Sequence, residues 1–405
     1  MTSKENKKVR VLAIFKAPAP YIDPLLQLWA THPKVDLVVA YCVKTTDGET
    51  YYDPVTGKKV AWGTKLLGGG YKYLFLEDSM EAIGKSDFKI SNRRIKKYIR
   101  DHQFDVILMG SSYCSPTTWM AIQEAKKKHI PMITRMTVEA GRKRNAGVLL
   151  VKKLLVSRYC KNMAAGVYEC RQQKEYMEHY GMRKESLFSA PCAVDNGYFS
   201  TQCKKYHKSA LRSELGIPRE AVVFVATGAL IPRKRQKDVI QALKILKEKG
   251  IEPYYYMVGD GADRNEIELL AEKNGLKHVY VTGQLPQNEM SKYLRLSDVY
   301  ILSSENDASP KALNEAMNFS LPIIITTGVG TAEELLRDGK NGYIYPPGDV
   351  NALAIIMEQI MERTDRTRMG EIGREIVERY DYNRMIEGWM NAVQYAMEHT
   401  KGEKE

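Results

Sequence analysis

Between residues 222 and 363 the chain repeats one unit: a short apolar run, a turn, then an amphipathic stretch of helical period. Val222–Thr227, Tyr254–Val258, Val279–Thr282, Val299–Leu302 and Pro322–Thr326 read as strands. Gln236–Lys249, Arg264–Asn274, Gln287–Leu296, Pro310–Asn318 and Val350–Arg363 read as helices. Strands separated by whole helices cannot form hairpins; they pair in parallel, with a helix crossing over each time and both sheet faces covered. Turns at Gly228, Gly259-Asp260-Gly261, Gly283 and Gly328-Val329-Gly330 close the units. The first half repeats the scheme less regularly. Its strands are Val9–Phe15, Asp36–Cys42, Asp105–Met109, Ile130–Met136 and Gly166–Tyr168. Its helices are Pro24–Thr31, Ser91–His102, Thr117–Lys128 and Gly147–Lys161. A polar stretch from Pro191 to Pro218 parts the halves. The pattern predicts an α/β chain of two tandem Rossmann-like domains, residues 1–200 and 205–380.

Composition narrows the functional classes. Of 405 residues 44% are hydrophobic and 27% charged, as in ordinary globular proteins, and no apolar run reaches the roughly 18–20 residues of a membrane span. Met1 to Lys8 is polar and leads into Val9–Phe15, which has Arg10 inside it and reads as a strand rather than a signal peptide. The six cysteines contain no Cys-x-x-Cys pair, and the seven histidines make no ligand spacing. The expectation is reduced thiols, no metal and a cytoplasmic protein.

Charge is divided unevenly. Residues 1–200 hold 33 Lys and Arg against 19 Asp and Glu; the rest hold 28 against 30. The whole positive excess lies in the first half, which implies that this half faces something anionic: a membrane surface, a phosphorylated acceptor or nucleic acid. No aromatic-basic interleaving or known module points to nucleic acid. Residues 142–161 carry Arg142, Lys143, Arg144, Lys152, Lys153, Arg158 and Lys161 without an acid, interleaved with Val148, Leu149, Leu150, Val151, Leu154, Leu155 and Val156. This stretch reads either as a core-packed helix with a solvated basic face, or, with Arg93 to Lys97, as a face that rests on anionic lipid.

A dinucleotide fingerprint is missing. Val9–Phe15 is followed by Lys16-Ala17-Pro18-Ala19-Pro20-Tyr21, and Gly259-Asp260-Gly261-Ala262-Asp263-Arg264 lacks a third glycine and reads first as a tight turn. Two segments carry more chemistry. Gly228 to Lys237 joins a strand to a helix and sets Arg233, Lys234, Arg235 and Lys237 at or near a helix N-terminus, which is either a phosphate site or a solvated basic turn. Ser304 to Met317 opens a helix, with Ser309 as the expected N-cap and Pro310 as the first helical residue. Asp307 and Glu315, eight apart, either grip two ends of one ligand or are an acidic cap and a surface glutamate.

Taken in order, several segments resemble glycosyltransferase family four, the glycosyl transferases group 1. They are Gly228-x-Leu230-x-Pro232-x-Lys234, Val258-Gly259-Asp260-Gly261 with Arg264, Val281-Thr282-Gly283 and Ser297 to Ser304. Asn314-Glu315-Ala316-Met317 with Leu321-Pro322, and Gly342-Tyr343 before Pro347-Gly348-Asp349, continue the series. Tyr176 to Gly181, then Pro191-x-x-Val194-Asp195 and Phe199, look like the end of that family's first domain. The resemblance covers nearly the whole chain and is nearest to a branch associated with bacterial cell-surface glycans. It implies the GT-B fold, with a cleft between the domains and a final helix, residues 383–400, crossing back to the first. It implies retaining transfer from a nucleotide-diphosphate-sugar to a glycan or lipid-linked acceptor, without a metal. By the same resemblance Lys234 holds the diphosphate, Asp307 a sugar hydroxyl and Glu315 the ribose hydroxyls. First-turn amides of Lys311, Ala312 and Leu313, with Ser309, support the phosphates, and Gly283 to Leu285 border the base. Ala229 stands where the family often has Arg or Lys, with Arg233 or Arg235 as replacements; Pro310 offers no N–H; Arg135 reaches the phosphates from the first domain. A nucleotide-sugar epimerase, a phosphorylase and a catalytically silent binding module are the alternatives on the same fold.

Overall fold

The computed structural model describes residues 8–46, 50–53, 58–61, 66–76, 86–136 and 145–401. In chain order the first half contains strands β1 (Val9–Phe15), β2 (Val35–Tyr41), β3 (Thr50–Asp53), β4 (Lys58–Ala61), β5 (Lys72–Phe75), β6 (Val106–Gly110), β7 (Met132–Arg135), β8 (Ala165–Tyr168) and β9 (Leu187–Ser189). Its helices are α1 (Asp23–Ala30), α2 (Arg94–Asp101), α3 (Pro116–Lys127), α4 (Ala146–Cys160) and α5 (Arg171–His179). Helices α6 (Asn196–Lys205) and α7 (Lys208–Glu214) lead into the second half. There strands β10 (Val223–Thr227), β11 (Tyr254–Val258), β12 (Val279–Gly283), β13 (Val299–Leu302), β14 (Ile323–Thr326) and β15 (Gly342–Tyr345) follow. They alternate with α8 (Gln236–Glu248), α9 (Arg264–Lys273), α10 (Gln287–Leu296), α11 (Lys311–Asn318), α12 (Ala332–Leu335), α13 (Val350–Glu362), α14 (Arg366–Val377) and α15 (Tyr382–Lys401).

Two parallel sheets result. One has seven strands in the order β5-β2-β1-β6-β7-β8-β9, and the other six in the order β12-β11-β10-β13-β14-β15. Each is covered by helices on both faces, and each buries both faces because successive side chains of a strand point opposite ways. In β1, Val11, Ala13 and Phe15 enter one core, and Leu12 and Ile14 the other. In β14, Ile323 and Ile325 go one way and Ile324 the other. The antiparallel pair β3-β4 stands outside both sheets.

The polar stretch between the halves is not an irregular linker. It forms α6 and α7, whose Phe199 and Leu211 are buried in the second core. The sequence pattern also passes over β5, β9 and β15, which are only three or four residues long. The chain passes between the sheets twice, around residues 190–195 and again before α15. Asn196 joins the two passages: its amide donates to the carbonyls of Val377 and Tyr380, each at 3.2 Å, and its oxygen accepts from Asn318 at 2.8 Å. Helix α15 then lays Met385, Ile386, Trp389, Ala392, Val393 and Ala396 on the first sheet, with Trp389 edge-on to Trp29 at 4.8 Å.

Candidate functional site

The carboxyl edges of the two sheets face each other, and the chemistry of the chain gathers between them. Open parallel sheets bind ligands at this edge because helix N-termini and strand-end loops converge there.

After β10 the chain turns through Gly228-Ala229-Leu230 into one 3-10 turn, Pro232–Lys234. This loop rests directly on Gly259-Asp260-Gly261. Gly228 N–H donates to Val258 and Leu230 N–H to Asp260, both at 3.0 Å. A Cβ on Gly259 would stand 1.9 Å from the Gly228 carbonyl oxygen, and one on Gly261 2.2 Å from that of Leu230. The glycine pair is therefore a seat for the neighbouring loop, which accounts for it without a cofactor. Arg235, at φ 52°, turns the chain sharply into α8. The four cations consequently diverge. Lys234 enters the cleft and pairs with Asp307. Arg233 is exposed and donates to the Asn306 carbonyl at 3.1 Å. Lys237 pairs with Glu266 at 2.8 Å. Arg235 is engaged by Asp238 at 2.7 Å.

Asp307 is held by its backbone on both sides. Its N–H donates to Gly328 at 3.0 Å and its carbonyl accepts from Gly330 at 2.8 Å. Gly328 and Gly330 permit this approach, since a Cβ would lie 2.1 Å from the Glu305 oxygen or 2.4 Å from that of Ala308. Glu305 itself is exposed; the carboxylate that meets Lys234 is that of Asp307.

Helix α11 begins at Lys311, with Pro310 in the cap position and no side-chain cap. This corrects the expectation of Ser309 as N-cap. The Ser309 hydroxyl instead bonds to Glu169 of the opposite domain. A second correction concerns Leu313: its amide is taken by the Pro310 carbonyl at 3.1 Å and its side chain lies wholly in the core, leaving Lys311 and Ala312 as the open amides of the turn.

Glu169 follows β8 directly and gathers three residues that the sequence had set apart. One of its oxygens takes Arg135; the other takes Ser309 and, at 3.3 Å, the Lys311 ammonium. Lys311 also lies 3.0 Å from the Cys192 sulfur. The side chains of Glu169, Arg135 and Lys311 are only 5%, 10% and 15% exposed. Burial opposes ionisation of Glu169, but Arg135 and Lys311 outweigh it and hold the carboxyl down at about 2. Arg135 Nε is buried with no partner among the described residues. Nothing in the motifs announced Glu169; the available signal was its position, the first acid after Glu139 and immediately beyond a strand's carboxyl end.

Glu315 lies half-buried one turn beyond Lys311. Burial pushes its carboxyl up to about 7 against the pull of Lys311. Gly283 ends β12 at φ 76° beside the Arg264 guanidinium, and Leu285 packs with the second core. Among the described residues no group of three or more His, Cys, Asp and Glu could hold a metal ion. A cavity of about 490 Å³ bordered by Lys126, His129, Lys161 and Arg183 opens at the other edge of the first sheet and shares no residue with this cleft.

Two facing parallel sheets, a cleft at their carboxyl edges and a last helix that crosses back define the GT-B architecture, and residues 207–376 match the family model of glycosyl transferases group 1. The lipopolysaccharide core biosynthesis glycosyltransferase LpsE of Rhizobium meliloti is 30% identical over 166 residues, 40% of this chain and 47% of LpsE. The chain spans about half the length of the curated relatives it matches. Across nearly the full length the structure is similar to Anabaena Alr3699/HepE in complex with UDP and glucose, with a TM-score of 0.71, 16% identity and coverage of 95% and 99%. The sucrose-phosphate synthase of Thermosynechococcus elongatus aligns with a TM-score of 0.69 and 17% identity, covering 94% and 96%.

Proposed function

We propose that the chain is a retaining glycosyltransferase that moves a sugar from a nucleotide-diphosphate-sugar to a glycan or lipid-linked acceptor in cell-surface polysaccharide synthesis. The observation that carries this reading is the convergence of Lys234, Asp307, the α11 N-terminus and Arg135 in one cleft, with Glu315 one turn along α11. A departing nucleoside diphosphate gathers negative charge, and preorganised cations and helix amides stabilise that charge without reorganising. In this reading Lys234 and Arg135 meet the diphosphate from opposite domains, and the Lys311 and Ala312 amides support it. Asp307 receives a sugar hydroxyl, Glu315 the ribose, and Gly283 to Leu285 border the base. These groups neutralise the leaving group without a metal. The complex of HepE with UDP and glucose, on the same fold, supports a nucleotide-sugar donor.

The reading also places the first domain on an anionic membrane, where a lipid-linked acceptor resides. Helix α4 leaves the carboxyl edge of the first sheet, the edge that carries Arg135 and Glu169. Its last turn is core, with Val156, Tyr159 and Cys160 buried. Its first turns are not: Val148, Leu149, Leu150, Val151 and Leu154 are 42–66% exposed, with Lys153 and Arg158 exposed beside them. Lys152 is over the Tyr176 ring at 5.0 Å, and Arg142, Lys143 and Arg144 lie outside the described residues.

The test is release of nucleoside diphosphate from a panel of nucleotide sugars, with membrane extract as acceptor. Lys234→Ala should lower kcat at least about a hundredfold, as loss of one electrostatic donor does elsewhere. Near-normal turnover would remove the phosphate assignment. A product anomer opposite to the donor's, seen by NMR, would overturn retention. Sugar isomerisation without acceptor would make the protein an epimerase, phosphate-dependent cleavage a phosphorylase, and silence with every donor a binding module.

A further inference from the structure

Two cations on opposite sides of the cleft, Arg135 and the Lys311 ammonium, are already occupied by one carboxylate. Glu169 gives one oxygen to Arg135 and the other to Lys311 and the Ser309 hydroxyl. That is the contact set of a phosphoryl group: two separated anionic oxygens, two cations and a hydroxyl donor at a helix N-terminus. The residue is set there firmly, because its amide donates to Gln173 at 2.7 Å and the next residue, Cys170, is the N-cap position of α5. Arg135, nine-tenths buried, has no partner for its Nε among the described residues, so Glu169 does not satisfy the whole guanidinium. A pair serving stability alone does not account for this unmatched Nε, and buried ion pairs add little net stability in any case.

We propose that Glu169 is a stand-in anion for the donor diphosphate. In the free protein it occupies the cations of the cleft; when donor binds, the phosphates take Arg135 and Lys311 over from it. The inference rests on the reading of the cleft as a nucleotide-diphosphate-sugar site and adds what controls affinity there. Glu169 touches the phosphate ligands rather than the reacting atoms, so it is a positioning residue. Its charge competes with the diphosphate, which weakens binding and keeps the spent nucleoside diphosphate from lingering.

Titration calorimetry of the full chain with inorganic pyrophosphate, at fixed ionic strength, tests this directly. Glu169→Gln keeps the shape and an acceptor oxygen but removes the charge. Removing a like charge a few ångströms from the ligand should tighten pyrophosphate roughly tenfold, about 1.4 kcal/mol. Adding Lys311→Gln to Glu169→Gln should cancel most of the gain. Glu169→Ala should gain similarly, so a folding defect in one variant does not decide the matter. Equal or weaker binding by the folded variants, or no pyrophosphate binding by any form, overturns the inference; in the former case Glu169 is a strut that holds the cleft closed. A parallel panel of nucleoside diphosphates separates this from the underlying reading. If pyrophosphate tightens but no nucleoside diphosphate binds, Glu169 stands as proposed and the nucleotide-sugar reading falls. If nucleoside diphosphates bind the wild type and neither they nor pyrophosphate distinguish Glu169→Gln, the reading stands and the stand-in anion falls.

Discussion

Two carboxylates of the cleft respond to pH in opposite senses. Glu315 is held up to about 7 by burial, against an ordinary value of 4.5. Between those values the folded chain retains a proton that the unfolded chain has lost, so this contribution to stability is full below 4.5 and disappears as pH rises through 7. Glu169, held at about 2, contributes above 4.5 and loses that contribution as pH falls toward 2. Glu315→Gln should therefore remove a proton release of up to about one from the unfolding equilibrium between pH 5 and 7, so that stability falls less steeply as pH rises there. Urea midpoints measured across that window would show it; an unchanged slope would mean that Glu315 is more solvated than its place in the cleft indicates. Lys234, Asp307 and Glu315 were legible because their signal is local: a strand end, a helix start and an eight-residue spacing. Glu169 was not legible, since its meaning comes from Ser309, 140 residues away on the other domain.

At the scale of elements, α15 shows what periodicity can reveal. Met385, Ile386, Trp389 and Val393 recur at helical spacing, and all four are buried against the first sheet. Trp389→Ala should cost about 3–5 kcal/mol, the usual range for removing a large aromatic from a packed core, and should lower the denaturant midpoint of the first domain. A change under about 1 kcal/mol, the size of a surface effect, would show that the helix is dispensable. Elements that escaped the sequence share a physical cause. Strands β5 and β9 are too short to display a period, and α6 and α7 each bury one apolar residue, Phe199 and Leu211, under polar surfaces. The start of α11 was misplaced because Ser309 is turned to another partner: a capping serine accepts from a helix N–H, but here the hydroxyl donates to the Glu169 carboxylate across the cleft.

For the whole molecule, the charge imbalance bears on the proposed orientation at a membrane. The basic half carries the projecting apolar turns of α4, and surface cations each contribute about 1 kcal/mol toward anionic lipid. The protein should co-sediment with anionic vesicles in preference to neutral ones, and less so as salt rises. Leu150→Gln with Leu154→Gln should weaken binding at all salt concentrations, whereas Lys152, Lys153 and Arg158 replaced by Gln should matter mainly at low salt. Equal binding to neutral and anionic vesicles would end the proposal. One further property follows from the two passages of chain between the sheets, joined through Asn196. A body attached at one point turns about three axes; attached along a line, it turns about that line alone. Were this cleft to open and close, the motion would be the swing of a door on two pins. A ligand that shut it would have one rotation to arrest, and each closure would return Arg135 to the same place opposite Lys311.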